Sequence, residues 1–248
     1  RVVLAMRHLA DLRLFYRTAS HTPPAQLLER IRLIARRCYR QSLGPPRNFN
    51  APPPQVRPLL PKPILPVREH QVSRDAGETW IDVIGHRVLL TQGLDWHPGP
   101  SNEWTHLRRF HLHYMEWCEA LDDRDFESTI DSWITENPPY GSAYWFDSWN
   151  SYVISLRTVV WMQQLANRPG LPSRFVDRAV VSICHQIRVL FDHLELDLCG
   201  NHLVKNIKAL IWASAFFQGP EADNWNRRAC KLLSQVLDQQ ILPDGMHY

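Results

Sequence analysis

Cys199-Gly200-Asn201-His202-Leu203 is a short polar break between two long apolar patterns that both follow the period of an α-helix. The apolar positions before it are Val176, Val180, Ile183, Ile187, Leu190 and Leu194, and those after it are Leu203, Ile207, Leu210 and Phe217. Gly200 is suited to end the first helix and Asn201 to begin the second. The stretch therefore predicts two helices that meet at a corner.

Helical periodicity extends outward from this corner in both directions. It begins near Trp104, is interrupted at Asn137-Pro138-Pro139 and continues to Val236. Upstream, residues 80–84 and 87–90 have strand character and flank Gly85-His86, which predicts a small β-hairpin. We expect an all-α body of consecutive antiparallel helix pairs, preceded by this hairpin.

Charge and proline are distributed unevenly, although the formal net charge is only +3. Residues 1–50 contain ten Lys or Arg and two Asp or Glu, whereas the remaining residues contain 18 and 23. Residues 44–66 hold nine of the 19 prolines, which fix φ and remove hydrogen-bond donors. We predict a basic helical arm (1–42), a proline-rich linker or strap (43–75) and a helical body (76–248).

The basic arm limits the classes of partner. Such arms can touch membranes, nucleic acids or acidic polymers, but a solvated arginine face has the same sequence. Because the body is mildly acidic, we expect no nucleic-acid partner; the arm's charge would permit contact with a membrane surface, which we do not expect. No apolar run approaches the roughly 18 residues of a membrane span, and no signal peptide is visible.

Neither a metal nor a cofactor is predicted. The five cysteines show no CxxC or Cys/His metal spacing, and we expect buried thiols. His111 and His113 point to different faces of a helix, so they are unsuited to one metal ion. We expect His111, on the apolar stripe, to be a hydrogen-bonded core histidine. No glycine-rich phosphate loop, HExxH or GxSxG is present.

The corner itself is the first candidate site. Free backbone N–H groups and the positive end of the helix dipole meet at a helix start, which suits a bound anion. Asn201 adds two N–H donors, His202 can donate a hydrogen bond or carry a charge, and Lys205 lies in the next turn. A plain N-cap with a solvated lysine would have the same sequence, so a structural role stays open.

Aromatic residues and one arginine form the second candidate site. Trp145, Trp149 and Tyr152 lie at the start of a helix, where their rings could stack on sugars. Arg157 lies inside an apolar helix and could pair with a carboxylate. Core packing would also explain the aromatic residues, whereas a buried guanidinium needs partners.

Several stretches, taken in order, resemble the N-terminal region of the heparinase II/III family of polysaccharide lyases. They are Asp95-Trp96-His97, Leu107-Arg108-Arg109-Phe110-His111-Leu112-His113-Tyr114, Asn137-Pro138-Pro139, Ser155-Leu156-Arg157, Gly200-Asn201-His202-Leu203 and Gln240-Ile241-Leu242-Pro243-Asp244-Gly245. Each stretch alone is weak, but the ordered set is fairly specific and covers about residues 80–248.

The resemblance implies an incomplete α/α toroid, which the family follows with a β-sandwich domain absent from this chain. It also implies cleavage of uronic-acid-containing acidic polysaccharides by β-elimination. Asn201 and His202 match the family's Asn-His pair, which would neutralise the uronate carboxylate. The remaining residues expected to bind substrate are Trp145, Trp149, Tyr152, Arg157 and Lys205.

The resemblance further implies that part of the active site lies outside this chain. The family's catalytic Tyr-His pair would follow the turn at Asp244-Gly245, and a further histidine would come from the β-sandwich. We therefore expect these 248 residues alone to be inactive. Family members of this kind imply a periplasmic or secreted protein.

Two other functions fit the residues. A glycoside hydrolase on a related helical barrel needs paired carboxylates, and Asp192, Glu195 and Asp197 lie close to Gly200. A non-catalytic module that binds an acidic exopolysaccharide would use the basic arm and the ten tryptophans. Only elimination leaves a conjugated double bond in the product, which separates the lyase from both.

Overall fold

The computed structural model describes residues 22–58, 71–91, 93–141, 144–198 and 200–240. Within this part of the chain there are seven α-helices and two small sheets. The helices are α1 (Pro24–Leu43), α2 (His106–Tyr114), α3 (Asp123–Glu136), α4 (Ser151–Asn167), α5 (Ser173–Asp192), α6 (Gly200–Phe216) and α7 (Pro220–Gln240). The strands are β1 (Gln55–Val56), β2 (Val72–Asp75), β3 (Glu78–Asp82), β4 (Arg87–Leu89) and β5 (Phe217–Gln218), and a 3-10 helix covers Glu116–Ala120.

The helices pack in consecutive pairs. Helix α4 packs on α5 after a five-residue connection, and α6 packs on α7 after a turn that contains β5. Helix α4 also packs on α6, and their N-terminal turns are in contact through Tyr152 and His202. The predicted architecture is confirmed: the fold is an incomplete all-α toroid with small antiparallel strand pairs. No described helix has both the length and the apolar character needed to cross a bilayer.

Local signals set the helix ends. The side chain of Asp122 accepts a hydrogen bond from the backbone of Asp125 at the start of α3, and Asn150 does the same for Tyr152 at the start of α4. The helical periodicity that begins near Trp104 does not form one continuous helix up to Asn137, because Met115 adopts a left-handed conformation (φ 56°) that ends α2.

The predicted hairpin is present and is one strand larger than expected. Strands β3 and β4 pair antiparallel with Trp80 opposite Leu89, and β2 pairs with the other edge of β3. Ala76 and Gly77 both have positive φ in the β2–β3 turn, as a two-residue hairpin turn requires. The proposed boundary between residues 75 and 76 therefore falls inside a hairpin.

The proline-rich strap is anchored to the helical body over its described part. Strand β1 pairs with β5, and the guanidinium of Arg188 donates to the carbonyl oxygens of Phe49, Ala51 and Pro52. Arg188 also forms an ion pair with Glu221 at 2.7 Å. One buried arginine thus joins the strap to α5 and α7.

Tryptophans fill the core. Trp133 lies near its centre, with the ring of Trp161 edge-on at 5.3 Å. Its indole N–H donates to Nδ1 of the fully buried His113. The buried histidine of this stripe is therefore His113, whereas the sequence predicted His111, which is only partly buried. Of the described cysteines, Cys118 and Cys184 are buried, but Cys38 and Cys230 are exposed, contrary to expectation.

Candidate functional site

The corner around Asn201 is built from four segments. It combines the first turns of α4 and α6, the end of α2 and the loop 193–198 that follows α5. Helix α5 ends at Asp192, so Gly200 does not cap it as predicted; it begins α6 with φ 56°. Asn201 accordingly lies in the first turn of α6.

Asn201 and Lys205 share one face of α6, because they are four residues apart. Asn201 is exposed and Lys205 is partly buried. Both lie in the first turns of the helix, where free N–H groups and the helix dipole favour an anion. The structure therefore leaves the amide of Asn201 accessible from outside.

His202 is held on two sides. Its ring lies 4.2 Å from the ring of Tyr152, centroid to centroid, at 34°. Its Nδ1 is 3.3 Å from Oε1 of Glu195, and this hydrogen bond raises the pKa of His202. The side chain of His202 is still 38 % exposed. His202 is thus oriented by the protein and open to a ligand.

Glu195 is a buried carboxylate beneath His202, and its residue is 3 % exposed. Its Oε2 accepts a hydrogen bond from Nδ2 of Asn206 at 3.1 Å, and its backbone N–H donates to Oδ1 of the same residue at 3.0 Å. Asn206 lies one turn beyond His202 on α6. The two partners fix the carboxylate from opposite sides.

Two tyrosines line the same corner. Tyr114 and Tyr152 lie 5.8 Å apart between ring centroids, and burial raises the pKa of both phenols. Both are therefore protonated at neutral pH. Sequence reasoning named Tyr152 but missed Tyr114, which the left-handed residue Met115 places at the end of α2.

The structure corrects the assignment of Arg157 as a substrate ligand. Its residue has no exposed surface. The guanidinium donates to the backbone oxygens of His113 and Ser148 and to Oε1 of Gln186, at 2.8–2.9 Å. It also lies 3.9 Å from the centroid of the Trp133 ring. Arg157 is a structural residue of the core.

The assignment of Trp149 as a substrate ligand is corrected for the same reason, and that of Trp145 is corrected in part. Trp149 is 3 % exposed, and its indole N–H donates to the carbonyl oxygen of Asn137. Trp145 is partly buried and packs against the core, edge-on to Tyr144. Sequence periodicity could not separate these core tryptophans from ligand-binding ones, because aromatic residues of either role have the same spacing near the start of a helix.

Other aromatic residues are exposed near the corner and were missed. Phe146 is 55 % exposed, and its ring lies 5.1 Å from that of His106. His106 in turn lies 4.3 Å from Phe110, which packs with Tyr152 on one small apolar cluster. This row of rings extends from the surface to the neighbourhood of His202. The signal in the sequence was the i, i+4 spacing of His106 and Phe110 on α2.

The carboxylates that suggested a hydrolase are all engaged within the protein. Asp192 forms ion pairs with Arg36 and Arg40, and Asp197 pairs with Arg30 at 3.2 Å. Glu195 is held by Asn206 and His202, as above. The described residues therefore offer no free carboxylate pair at this corner.

The described part of the chain contains no cluster of metal ligands, and it contains a cavity that lies apart from the corner. Among the described residues, no group of three or more His, Cys, Asp or Glu side chains could hold a metal ion. A cavity of about 650 Å³ lies between the small sheet and the start of α3, lined by Thr79, Trp96 and Thr129. No residue of the corner lines it, so the cavity is a separate feature.

The fold and the corner together define an α/α toroid that presents an amide and an imidazole at the start of one of its helices. The family model described as "Heparinase II/III N-terminus" matches residues 89–248. The chain belongs to this family, which relates it to polysaccharide lyases. Comparison with curated proteins and with solved structures gave no match.

Proposed function

We propose that the intact protein is a polysaccharide lyase that cleaves a uronic-acid-containing acidic polysaccharide by β-elimination. Asn201 and His202 neutralise the uronate carboxylate in this proposal. One observation supports it above the others: His202 is held by buried Glu195 yet remains partly exposed, beside exposed Asn201 at a helix start. Such a polysaccharide also fits the proposed location outside the cytoplasm.

The chemistry explains why these two side chains would matter. A base, expected outside this chain, takes the proton at C5 next to the carboxylate, and negative charge develops on the carboxylate oxygens. The C4–O bond then breaks, a C4–C5 double bond forms, and an acid protonates the leaving oxygen. Donors and positive charge placed there stabilise the transition state more than the ground state. The Asn201 amide would donate to one oxygen and the His202 imidazolium to the other, with the dipole of α6 and Lys205 adding positive potential.

The row of rings, of which Phe146 is exposed and Phe110 and Tyr152 are partly buried, supports a saccharide rather than a small anion as the ligand. Phe110, Phe146 and Tyr152 present apolar faces against which the C–H groups of sugar rings can pack. We propose that they take the role that the sequence suggested for Trp145 and Trp149. The hydrolase alternative is not supported, because it needs two carboxylates free to act on substrate.

Replacing Asn201 tests the proposal. In the intact protein, we expect Asn201→Ala to lower kcat by about 10²–10³, as loss of one transition-state donor does. Unsaturated uronate product, followed by its absorbance, is the readout, and thermal unfolding should change little because Asn201 is exposed. The matched control is Asn224→Ala, an exposed asparagine on α7, which should retain full activity.

Wild-type turnover in Asn201→Ala would remove Asn201 from the mechanism. Binding of acidic polysaccharide by the intact wild-type protein, without any unsaturated product, would instead identify the non-catalytic binding module. In the first case the lyase proposal survives but the role of Asn201 fails, and in the second case the lyase proposal itself fails.

A further inference from the structure

In the function proposed above Glu195 only holds His202, yet it is a buried carboxylate at the corner, with 3 % of its surface exposed. A buried carboxylate is unfavourable unless its charge is hydrogen-bonded. Glu195 meets this requirement with Asn206 on Oε2 and His202 on Oε1. One of its two partners is therefore the imidazole proposed to meet the substrate.

The hydrogen bond determines which nitrogen of His202 faces outward. Because Oε1 of Glu195 is an acceptor, Nδ1 must carry the proton in this contact. Contact with the Tyr152 ring restricts rotation about the side-chain bonds. Nε2 has no hydrogen-bond partner among the described residues, so it is the nitrogen left for a ligand.

The carboxylates near His202 also favour its protonated form. The hydrogen bond to Glu195 is the largest cause of the raised pKa of His202; burial opposes it, and Asp197 adds a smaller attraction from the same loop. Tyr152 on α4 contacts the ring of His202, and Tyr114 and Glu116 lie close to Tyr152. Arg37 on α1 lies close to Glu195 and Asp197, and Lys205 lies three residues beyond His202 on α6.

We propose that Glu195 is a positioning residue: it turns Nε2 of His202 toward the substrate and keeps the ring positively charged while the uronate binds. This inference rests on the proposed function for its biological meaning. The geometry of the ring, however, can be tested in the chain whether or not the protein is a lyase.

The first test needs no substitution. Imidazole ¹⁵N chemical shifts, recorded above the titration midpoint of His202, report which nitrogen carries the proton. We expect the Nδ1–H form, which is the less common form of free histidine, because Glu195 accepts from Nδ1. Finding the Nε2–H form in the wild-type chain would overturn the proposal.

The second test compares Glu195→Gln with Asp197→Asn. Glutamine preserves the shape of Glu195 and removes its charge, so the titration midpoint of His202 should fall further than in Asp197→Asn, whose carboxylate acts only through space. Equal midpoints in the two variants would contradict a special role for Glu195. Circular dichroism checks the fold, and the wild-type ¹⁵N result decides the question if Glu195→Gln is misfolded.

Activity supplies the last readout. In the intact enzyme, the high-pH limb of kcat should move to lower pH in Glu195→Gln and stay near its wild-type position in Asp197→Asn. At pH values above the new limb we expect a loss of about 10–100-fold, comparable to removing the outer partner of a metal-bound histidine. If the wild-type protein forms no unsaturated product, the lyase proposal fails, while the ring measurements still decide whether Glu195 orients His202.

Discussion

At the scale of single residues, Arg157 shows how a charge can be buried without a counter-ion. Its guanidinium is fully enclosed, and burial lowers its pKa. Three oxygen acceptors and the face of Trp133 replace the water it has lost. Arg157 thereby ties the end of α2, the segment before α4 and helix α5 together.

Arg157→Lys should reveal this structural role. Lysine keeps the charge but cannot reproduce the planar fork of donors, so at least one buried oxygen loses its partner. We expect the free energy of unfolding to fall by about 2–4 kcal/mol, measured by chemical denaturation. Arg174→Lys, at an exposed position on α5, should change it by about 0.5 kcal/mol or less. Unchanged stability together with a raised KM for polysaccharide would restore Arg157 as a substrate ligand.

The corner was foreseeable as a helix start, because glycine and asparagine favour that position. The catalytic role of Asn201 and His202 came from the family resemblance and stays a prediction. The role of Glu195 was not foreseeable, since only the fold places it under His202 and pairs it with Asn206. Burial of Arg157 and Trp149 likewise depends on contacts from helices distant in sequence.

At the scale of elements, helix α1 is oriented opposite to the usual amphipathic helix. Three of its arginines meet the body: Arg30 pairs with Asp197, and Arg36 and Arg40 pair with Asp192. Three of its apolar residues, Leu28, Ile31 and Ile34, are 46–57 % exposed, whereas Leu33 is buried. The positive charge of the arm is thus directed partly at the acidic loop beside the corner. Periodicity predicted the helix itself, but it does not show whether the apolar face or the arginine face of the helix lies against the body.

Ion pairs that hold α1 should make its attachment sensitive to salt. The pairs are partly exposed, so each contributes about 0.2–1 kcal/mol, and salt screens them. At low salt, we expect Asp192→Asn to lower the free energy of opening of α1 by about 1 kcal/mol. Amide hydrogen exchange in α1 should then be roughly fivefold faster relative to α7. High salt should speed exchange in the wild-type chain at least as much. It should affect the variant less, because of the described ion pairs between α1 and the body only Arg30–Asp197 is left for salt to screen.

Asp223→Asn is the control for this experiment, because it removes an exposed charge from α7 that none of the described ion pairs connects to α1. It should leave exchange in α1 unchanged. Exchange in α1 that is independent of both salt and Asp192 would show that apolar contacts, such as that of buried Leu33, hold the helix instead.

At the scale of the whole molecule, the described histidines make stability depend on pH. Burial lowers the pKa of His111, His113, His185 and His193, in the last case to about 4. His193 fits the neutral state, since Nδ1 can donate to the carbonyl oxygen of Val189 while Nε2 accepts from the hydroxyl of Tyr144. The pKa of His202 is raised instead, but its side chain is partly exposed, and it is one histidine against four.

The sign of the pH dependence follows from these shifts. The unfolded chain takes up protons on its histidines near pH 6.5, whereas folded His193 resists protonation until about pH 4. Between these values the unfolded state binds more protons, so the stabilisation present above about pH 6.5 is lost as the pH falls. His202 acts oppositely: its contribution is complete below about pH 6.5 and is lost as the pH rises through its folded pKa.

Chemical denaturation from about pH 7 down to about pH 4 should therefore show a falling free energy of unfolding. His193→Gln keeps one donor and one acceptor but cannot be protonated in this range, so its stability should fall less steeply with decreasing pH. Asn224→Ala, at an exposed position, removes no titratable group and should retain the wild-type slope. Identical slopes in all three proteins would assign the acid sensitivity to groups other than the buried His193. A flatter slope in His193→Gln alone would show that the same end of the toroid that carries the corner also limits stability in acid.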